Sequence, residues 1–343
     1  MSGVIEVLSA GPALSVQDMG REGWLAFGLA RGGAADRLAL YEAAALLNDP
    51  APEAALELAG MGGRFRTTMT TRLALTGAPM RASLDGQPLH WNASHLWPAG
   101  SVLEIGPADS GIYGYLSVAG GIRTQERLGA RATQAAAGLG RRIATGDRLP
   151  IAPDPAPDTP SRMLPVEDRC TGGILRVITG PQTALFDPAT VARFFASPHI
   201  AATGNRQGLM LERQAAPFQI ASGTTILSEP ITPGDIQMTG AGHPAILLAD
   251  CQTIGGYPRI GTVLPVDLPR TAQARPGSRL RFQPVSLEDA EALSPPEETW
   301  LRALRRLSRP FGFGPDSRAL LSYQLIGGVI RGDEEEPWRA GSI

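Results

Sequence analysis

Short apolar segments, separated by turns rich in glycine and proline, recur along the whole chain. Residues 235–239 alternate in polarity, with Ile236 and Met238 on one face and Gln237 on the other, which is typical of a strand. Residues 245–249 are continuously apolar, which indicates a strand buried on both faces. The same criteria predict further strands at 4–8, 72–76, 101–105, 114–119, 174–178 and 279–284.

Helical periodicity is confined to a few short segments, each with a recognisable cap or stop signal. The predicted helices run from Asp36 to the stop at Asn48-Asp49-Pro50, from Asp187-Pro188 to about residue 197, and from Ser286, with Asp289 completing a capping box, to 293. Residues 300–307 also have helical spacing, with arginines beside the apolar positions. This basic amphipathic helix either packs on its own domain with the arginines in solvent, which we favour, or binds an acidic surface.

The chain of 343 residues is long for one core, which favours two domains. Its 41 glycines and 30 prolines are dispersed, as many strands joined by turns require. Segments 98–121 and 233–256 share a turn, a strand, a turn, a buried strand and a Gly-Gly pair, which indicates two related units. We therefore expect a mainly β fold with small helices, divided into a unit at 1–150, a linker at 151–170, a unit at 171–295 and an extension at 296–343.

Charge and composition narrow the possible functions. The net charge of −2 gives no general case for binding nucleic acid or an acidic membrane surface. We find no secretory signal and no apolar run of membrane-spanning length, and we expect a cytoplasmic protein. The two cysteines cannot build a disulfide framework, and the four histidines have no metal-ligand spacing, so we expect no metal site.

Polar side chains follow the buried strand predicted at 245–249. Asp250, Gln252 and Thr253 precede a Gly-Gly pair and Tyr257, a combination that suits a binding site at a strand end. A polar network that only satisfies turn backbone is an equally open interpretation. In the binding interpretation, Asp250, Gln252 and Tyr257 border a ligand pocket together with Gln237.

A second polar group lies near the N-terminus. Asp18 and Arg21 either pair with each other to fix a turn or face a polar ligand together.

A set of short motifs, in order along the chain, carries a family resemblance. They are Gln17-Asp18-x-Gly-Arg21, Gly33-Ala34-x-Asp36, Gly180-Pro181-Gln182, Ser228-Glu229, Ile236-Gln237 and Asp250-x-Gln252-Thr253-x-Gly-Gly-Tyr257-Pro258. The chain resembles the allophanate hydrolase subunit 2 family, also described as biotin-dependent carboxyltransferase-like, which includes the C subunit of 5-oxoprolinase. The resemblance covers most of residues 4–292 and implies two cyclophilin-like β-barrel units.

The resemblance also implies a function within a complex. It implies a partner of the allophanate hydrolase subunit 1 type. In some relatives these two proteins join a third, lactam-utilisation subunit, and ATP is bound in that complex. The most favoured activity is the ATP-dependent opening of 5-oxoproline to glutamate. A carboxyltransferase subunit of a urea carboxylase, with biotin carried by a partner, and a non-catalytic subunit that antagonises a kinase inhibitor are the alternatives.

Candidate roles follow from the small amide substrate that the resemblance implies. Glutamines can offer such a substrate both a donor and an acceptor, arginines can polarise its carbonyl, and a buried carboxylate can take a proton. The substrate-binding candidates are Gln17, Arg206, Gln237, Gln252, Thr253 and Tyr257, and the catalytic candidates are Asp18, Arg21, Asp36, Glu229 and Asp250. The sequence departs from the family pattern at 111–116, 129–133 and 205–210, which puts the identity of the substrate in doubt.

Overall fold

The computed structural model describes residues 3–214, 216–220 and 226–311. From the sequence we expect that deletion of residues 333–343, which include the charged run 333–336, leaves folding intact. That segment lies outside the described residues. The strands are β1 Gly3–Ala10, β2 Leu14–Gln17, β3 Ala55–Ala59, β4 Met61–Thr67, β5 Thr71–Gly77, β6 Met80–Leu84, β7 Gln87–Leu89, β8 Ala93–Trp97, β9 Val102–Ala108, β10 Tyr113–Val118, β11 Arg148–Ile151, β12 Arg162–Met163, β13 Gly172–Ile178, β14 His199–Gly204, β15 Gly208–Leu211, β16 Glu229–Pro230, β17 Asp235–Met238, β18 Pro244–Leu247, β19 Ile254–Gly255, β20 Arg259–Val263, β21 Arg279–Pro284 and β22 Arg309–Pro310. The helices are α1 Arg37–Leu47, α2 Pro188–Ala196, α3 Leu268–Gln273, α4 Leu287–Leu293 and α5 Glu297–Leu307. The mainly β prediction is therefore confirmed.

The first half of the chain forms two sheets that enclose one core. One sheet has the order β11-β1-β4-β9-β6-β7, and the other has the order β2-β3-β10-β5-β8-β12-β22. Ile5 and Val7 from the first sheet and Leu56, Leu75 and Leu116 from the second belong to the same buried cluster. Alternating apolar positions on facing strands thus form the inside of a sandwich.

Helix α1 covers the outer face of the second sheet. It lies on β5 and β10, and every residue of those two strands is buried. The carboxylate of Asp36 accepts a hydrogen bond from the backbone amide of Ala39, so this residue caps α1 as predicted. Asn48 ends the helix in the left-handed conformation, with φ of 59°.

The second half of the chain is a closed barrel with the strand order β13-β20-β17-β18-β15-β14-β21. Its core includes Ile236 and Met238, as the alternation in polarity predicted, together with Phe194 and Phe282, whose rings stack 4.8 Å apart. The short pair β16–β19 stands beside the barrel. Asp187 and Ser286 cap α2 and α4, as predicted.

The segment predicted as a linker, 151–170, packs closely against the sandwich formed by the first half of the chain. Strand β12 pairs with β8, and the carboxylate of Asp154 accepts two hydrogen bonds, of 2.8 and 2.7 Å, from the guanidinium of Arg72. Arg169, near the end of this segment, is 7% exposed.

The chain up to Phe311 forms one compact unit. Within the described parts of the chain, no helix is long and apolar enough to cross a membrane.

Candidate functional site

Arg206 lies in the turn between β14 and β15 and joins the barrel to the sandwich. Its guanidinium donates to the carboxylate of Asp250 at 2.7 and 3.0 Å, to the carboxylate of Glu57 at 2.6 Å and to the carbonyl of Gly33 at 2.5 Å. Burial opposes the charge of this guanidinium, but Glu57 and Asp250 raise its pKa above the ordinary value. Arg206 is therefore a fixed cation whose donors are largely used within the protein.

Glu57 is the acceptor at the centre of this cluster, and it is 1% exposed. Besides Arg206, it accepts hydrogen bonds from the hydroxyl of Tyr115 at 2.7 Å and from the backbone amide of Ala35 at 2.9 Å. Burial and the negative charge of Glu57 raise the pKa of Tyr115 well above its ordinary value. The sequence analysis missed both residues, although a glutamate inside the apolar strand β3 was an available signal.

Asp36, a catalytic candidate, is fully buried in an adjoining network. Its carboxylate accepts from Arg169 at 2.7 Å and from the side-chain amide of Gln273 at 2.8 Å, in addition to capping α1. Arg169 also donates two hydrogen bonds, of 2.8 and 2.7 Å, to Glu42. Both oxygens of Asp36 are thus engaged, which indicates that Asp36 holds α1, the segment before β13 and α3 together.

Asp250 has one oxygen beside the main chain of Gly32. A Cβ atom added at Gly32 would lie 3.3 Å from Oδ1 of Asp250 and 3.5 Å from Oε1 of Gln134. Gly32 has a φ of +62°, which also favours glycine. Oε1 of Gln134 has no hydrogen-bond partner in the described part of the chain. Two acceptors, a carboxylate and an amide oxygen, thus lie together at this glycine.

Asp18 and Arg21 do not pair with each other; each instead binds the backbone of the segment 127–132. Asp18 accepts from the amides of Gly20 at 2.9 Å and Arg131 at 2.5 Å. Arg21 donates to the carbonyls of Arg127 at 3.0 Å and Ala132 at 2.5 Å. The local ion pair considered from the sequence is therefore wrong.

Gln17 binds the same region as Arg21. It donates to Ser15 and to the carbonyl of Thr133, both at 3.0 Å.

The remaining candidates lie along the outside of the barrel. Glu229 is exposed and accepts from Gln182 at 2.8 Å and Arg259 at 2.6 Å. The carbonyl of Thr253 accepts from the amide of Ile231 at 3.0 Å.

Within the described residues, no hydrogen bond joins the side chains of the four residues of the expected pocket to one another. Gln237 is 7% exposed and lies against Gly255. Gln252 is exposed, and Tyr257 is 51% exposed. Among the described residues, none of these three side chains hydrogen-bonds to Arg206 or Asp250.

The cysteine thiols are poor nucleophiles. Burial raises the pKa of Cys170 to about 11 and that of Cys251 to about 12, so both are protonated at neutral pH. Within the described residues there is also no group of three or more histidine, cysteine, aspartate or glutamate side chains placed to hold a metal ion.

The chain is similar to components of known enzymes over nearly its whole length. It is 30% identical to the 5-oxoprolinase C subunit of Haemophilus influenzae over 311 residues, which cover 89% of this chain and 98% of the relative. It is 32% identical to the 5-oxoprolinase C subunit of Escherichia coli over 295 residues, which cover 84% of this chain and 93% of the relative. The structure resembles Kluyveromyces lactis urea carboxylase with a TM-score of 0.78 and 25% identity, over 89% of this chain and 29% of that chain.

The family resemblance predicted from the motifs is confirmed by a match to a family model. The model is described as carboxyltransferase domain, subdomain A and B, and it matches residues 27–284. These residues include α1, most of the sandwich and the complete barrel, and they contain the whole Arg206 cluster. The chain therefore belongs to the carboxyltransferase domain family, subdomain A and B.

Proposed function

We propose that the chain is the C-type subunit of an ATP-dependent 5-oxoprolinase, and that it acts with a partner of the allophanate hydrolase subunit 1 type and a lactam-utilisation subunit. The near full-length similarity to two proteins named as 5-oxoprolinase C subunits supports this choice. ATP is consumed by the assembled enzyme. Opening the ring adds one water across the amide C–N bond, and the product is glutamate.

The acceptor pair at Gly32 is the observation that carries the proposal. A lactam presents an N–H donor and a carbonyl acceptor on one edge, so it needs protein acceptors for its N–H. Oδ1 of Asp250 and Oε1 of Gln134 are two such acceptors on one side of Gly32. A side chain at position 32 would crowd Oδ1 of Asp250 and contact Oε1 of Gln134, so glycine keeps the space beside both acceptors free of a side chain.

Arg206 acts on this site as a positioning residue. It holds the Asp250 carboxylate from Nε and Nη2, while Glu57 and the Gly33 carbonyl fix the guanidinium from the other side. The rotamer of Asp250 is thus set before substrate arrives, which lowers the entropy cost of binding. We assign no proton transfer to Arg206, because its raised pKa keeps it charged.

A carboxyltransferase role on urea is the second candidate. The similarity to the structure of urea carboxylase supports it. Urea and the ureido ring of biotin both present N–H donors, so the same two acceptors suit them. In this alternative biotin is carried by a partner protein.

The first test compares the chain alone with the reconstituted complex. We expect the chain alone to release no measurable glutamate from 5-oxoproline and ATP, and the mixture with both partners to do so. Urea with bicarbonate, ATP and a biotin carboxylase partner is the parallel assay. Turnover of urea but not of 5-oxoproline would replace the first proposal by the second. A complex inactive in both assays would favour the non-catalytic, regulatory alternative.

The second test addresses Asp250 within the active complex. Asp250→Asn should reduce turnover at least about a hundredfold, the scale for losing a well-placed polar contact in the transition state. Glu104→Gln is the matched control, because Glu104 is half-exposed and pairs with Arg64 on the surface. Melting temperatures of both variants, measured on the same preparations, separate folding from activity. Turnover of Asp250→Asn within tenfold of the wild type would reject the site and leave the first test unaffected.

A further inference from the structure

A cavity of about 340 Å³ lies on the outer side of the segment 124–133, at the edge of the sandwich. Its lining contains no aspartate or glutamate. Its lining includes five arginines, Arg21, Arg127, Arg131, Arg141 and Arg148. We call this cavity the arginine pocket. Five guanidinium groups on one concave surface are unusual in a chain whose net charge is −2.

The carboxylates that face these arginines leave part of the positive charge uncompensated. Among the described residues, Arg131, Arg141 and Arg148 pair with Glu126, Asp147 and Glu6. The other two lining arginines, Arg21 and Arg127, form no salt bridge within those residues. Of the two carboxylates near Arg21, Asp18 already accepts two backbone amides and Asp250 pairs with Arg206.

Arg21 supplies an open donor from inside the protein. It is 2% exposed, and its Nη1 has no hydrogen-bond partner in the described part of the chain. Its other nitrogens donate to carbonyls of the segment 127–132, which fixes the plane of the guanidinium. Burial lowers the pKa of Arg21 despite the nearby charges of Asp18 and Asp250. A bound anion would compensate this buried charge.

We propose that the arginine pocket binds a small oxyanion, a carboxylate or a phosphate group, on Arg21 and Arg127. Both anions accept charge-assisted hydrogen bonds, and Nη1 of Arg21 offers one such donor because its Nε and Nη2 already bind carbonyls. The hydroxyl of Thr133 lies in the same lining but already donates to the carbonyl of Arg141 at 3.4 Å, so the guanidinium groups supply the donors. This site has a lining distinct from the acceptor pair at Gly32, and it does not depend on the proposed function.

The test measures binding to the full chain by isothermal titration calorimetry at constant ionic strength. Inorganic phosphate, acetate and chloride are the three probes. We expect saturable binding of phosphate or acetate and none of chloride. Phosphate alone would assign the pocket to phosphate groups, acetate alone to carboxylates, and both to oxyanions in general. The absence of saturable binding of either oxyanion would overturn the proposal.

Variants locate the binding in the pocket. Arg127→Gln should weaken binding at least about tenfold, the low end for the loss of a charge-assisted hydrogen bond. Arg142→Gln is the matched control, because Arg142 is a neighbouring exposed arginine outside the lining, and its affinity should stay within about twofold of wild type. Equal weakening by both variants would show nonspecific attraction and overturn the assignment. Arg21→Lys should also weaken binding of the anion. An unchanged melting temperature would show that this variant is still folded.

Discussion

Asp49 illustrates how burial changes the chemistry of one carboxylate. It is 1% exposed, and within the described residues its carboxylate accepts one hydrogen bond, from the backbone amide of Gly120 at 3.3 Å. Burial raises the pKa of Asp49 from 3.8 to about 6, and the negative charge of Glu53 adds to the rise. Between these two values the folded chain holds a proton that the unfolded chain has released. The contribution of Asp49 to stability is therefore full below pH 4 and is lost as pH rises through 6.

Asp49→Asn removes this titration while keeping an oxygen for Gly120. We expect the variant to match the wild type near pH 4 and to be more stable by about 1–3 kcal/mol at pH 7.5, since one pKa unit corresponds to about 1.4 kcal/mol. Chemical denaturation at both pH values measures the difference. Asp147→Asn is the control, and its effect on the free energy of unfolding at pH 7.5 should have the opposite sign. Arg141 lowers the pKa of Asp147, so the substitution should destabilise the protein at that pH. A constant difference between wild type and Asp49→Asn at the two pH values would refute the prediction.

At the scale of residues, the sequence identified Arg206 and Asp250 but not Glu57, the second carboxylate to which Arg206 donates. Arg206 and Glu57 are 149 positions apart, so no local spacing connects them. Gln134 was missed for the same reason, since Gly32 and Asp250 reach it only in the folded chain. Conversely, Gln252 and Tyr257 stood out because of neighbouring glycines, which indicate backbone freedom rather than the direction of a side chain.

At the scale of elements, local signals were sufficient for four of the five helices but for only eight of the 22 strands in the described residues. The eight strands predicted from apolar patterns all occur, because alternating and continuous apolar runs report the faces that a strand buries. The caps at Asp36, Asp187 and Ser286 mark true helix starts, since each side chain accepts from a free backbone amide. The very short strands β12 and β22 were missed, because their pairing partners lie far away in sequence.

Helix α5 packs on α1, as the favoured interpretation of its amphipathic pattern predicted. The ring of Trp300 meets that of Tyr41 edge-on at 5.5 Å, and Leu301 is 8% exposed. Trp300→Ala should lower the free energy of unfolding by about 1–3 kcal/mol, less than for a fully buried tryptophan because Trp300 is half-buried. Leu307→Ala on the same helix is the control, since Leu307 is 52% exposed. Urea denaturation of both variants measures this, and equal effects would contradict the packing of α5 on α1.

At the scale of the molecule, buried polar contacts join the sandwich to the barrel. Arg206 connects Asp250 with Glu57, and Arg169 connects the segment before β13 with α1. The composition favoured two domains but could not show that they share such contacts. Isolated ionic groups are costly to bury, so each half needs the other to compensate its charges. We infer that the two halves unfold together.

Gln273 provides the sharpest test of this coupling. It lies at the end of α3, and its Oε1 accepts from the amides of Ile112 at 2.8 Å and Tyr113 at 2.9 Å. Its Nε2 donates to the carbonyl of Tyr113 and to Asp36, both at 2.8 Å. Gln273→Leu keeps a similar volume but deprives the amides of Ile112 and Tyr113 of their acceptor, while Asp36 keeps Arg169 and the Tyr113 carbonyl keeps the amide of Ala78. The change should cost about 2–6 kcal/mol, since each unpaired group costs roughly 1–3 kcal/mol.

The variant should lose stability as a whole molecule. Tryptophan emission, which reports on the first unit through Trp97, and hydrogen exchange of the barrel amides should shift to lower urea concentration together. Thr183→Val is the control, because the Thr183 hydroxyl bonds only within the barrel region, to the carbonyl of Ile260 and the amide of Gly180. Separate transitions for the two probes in Gln273→Leu, with the first unit unchanged, would show that the halves are independent domains.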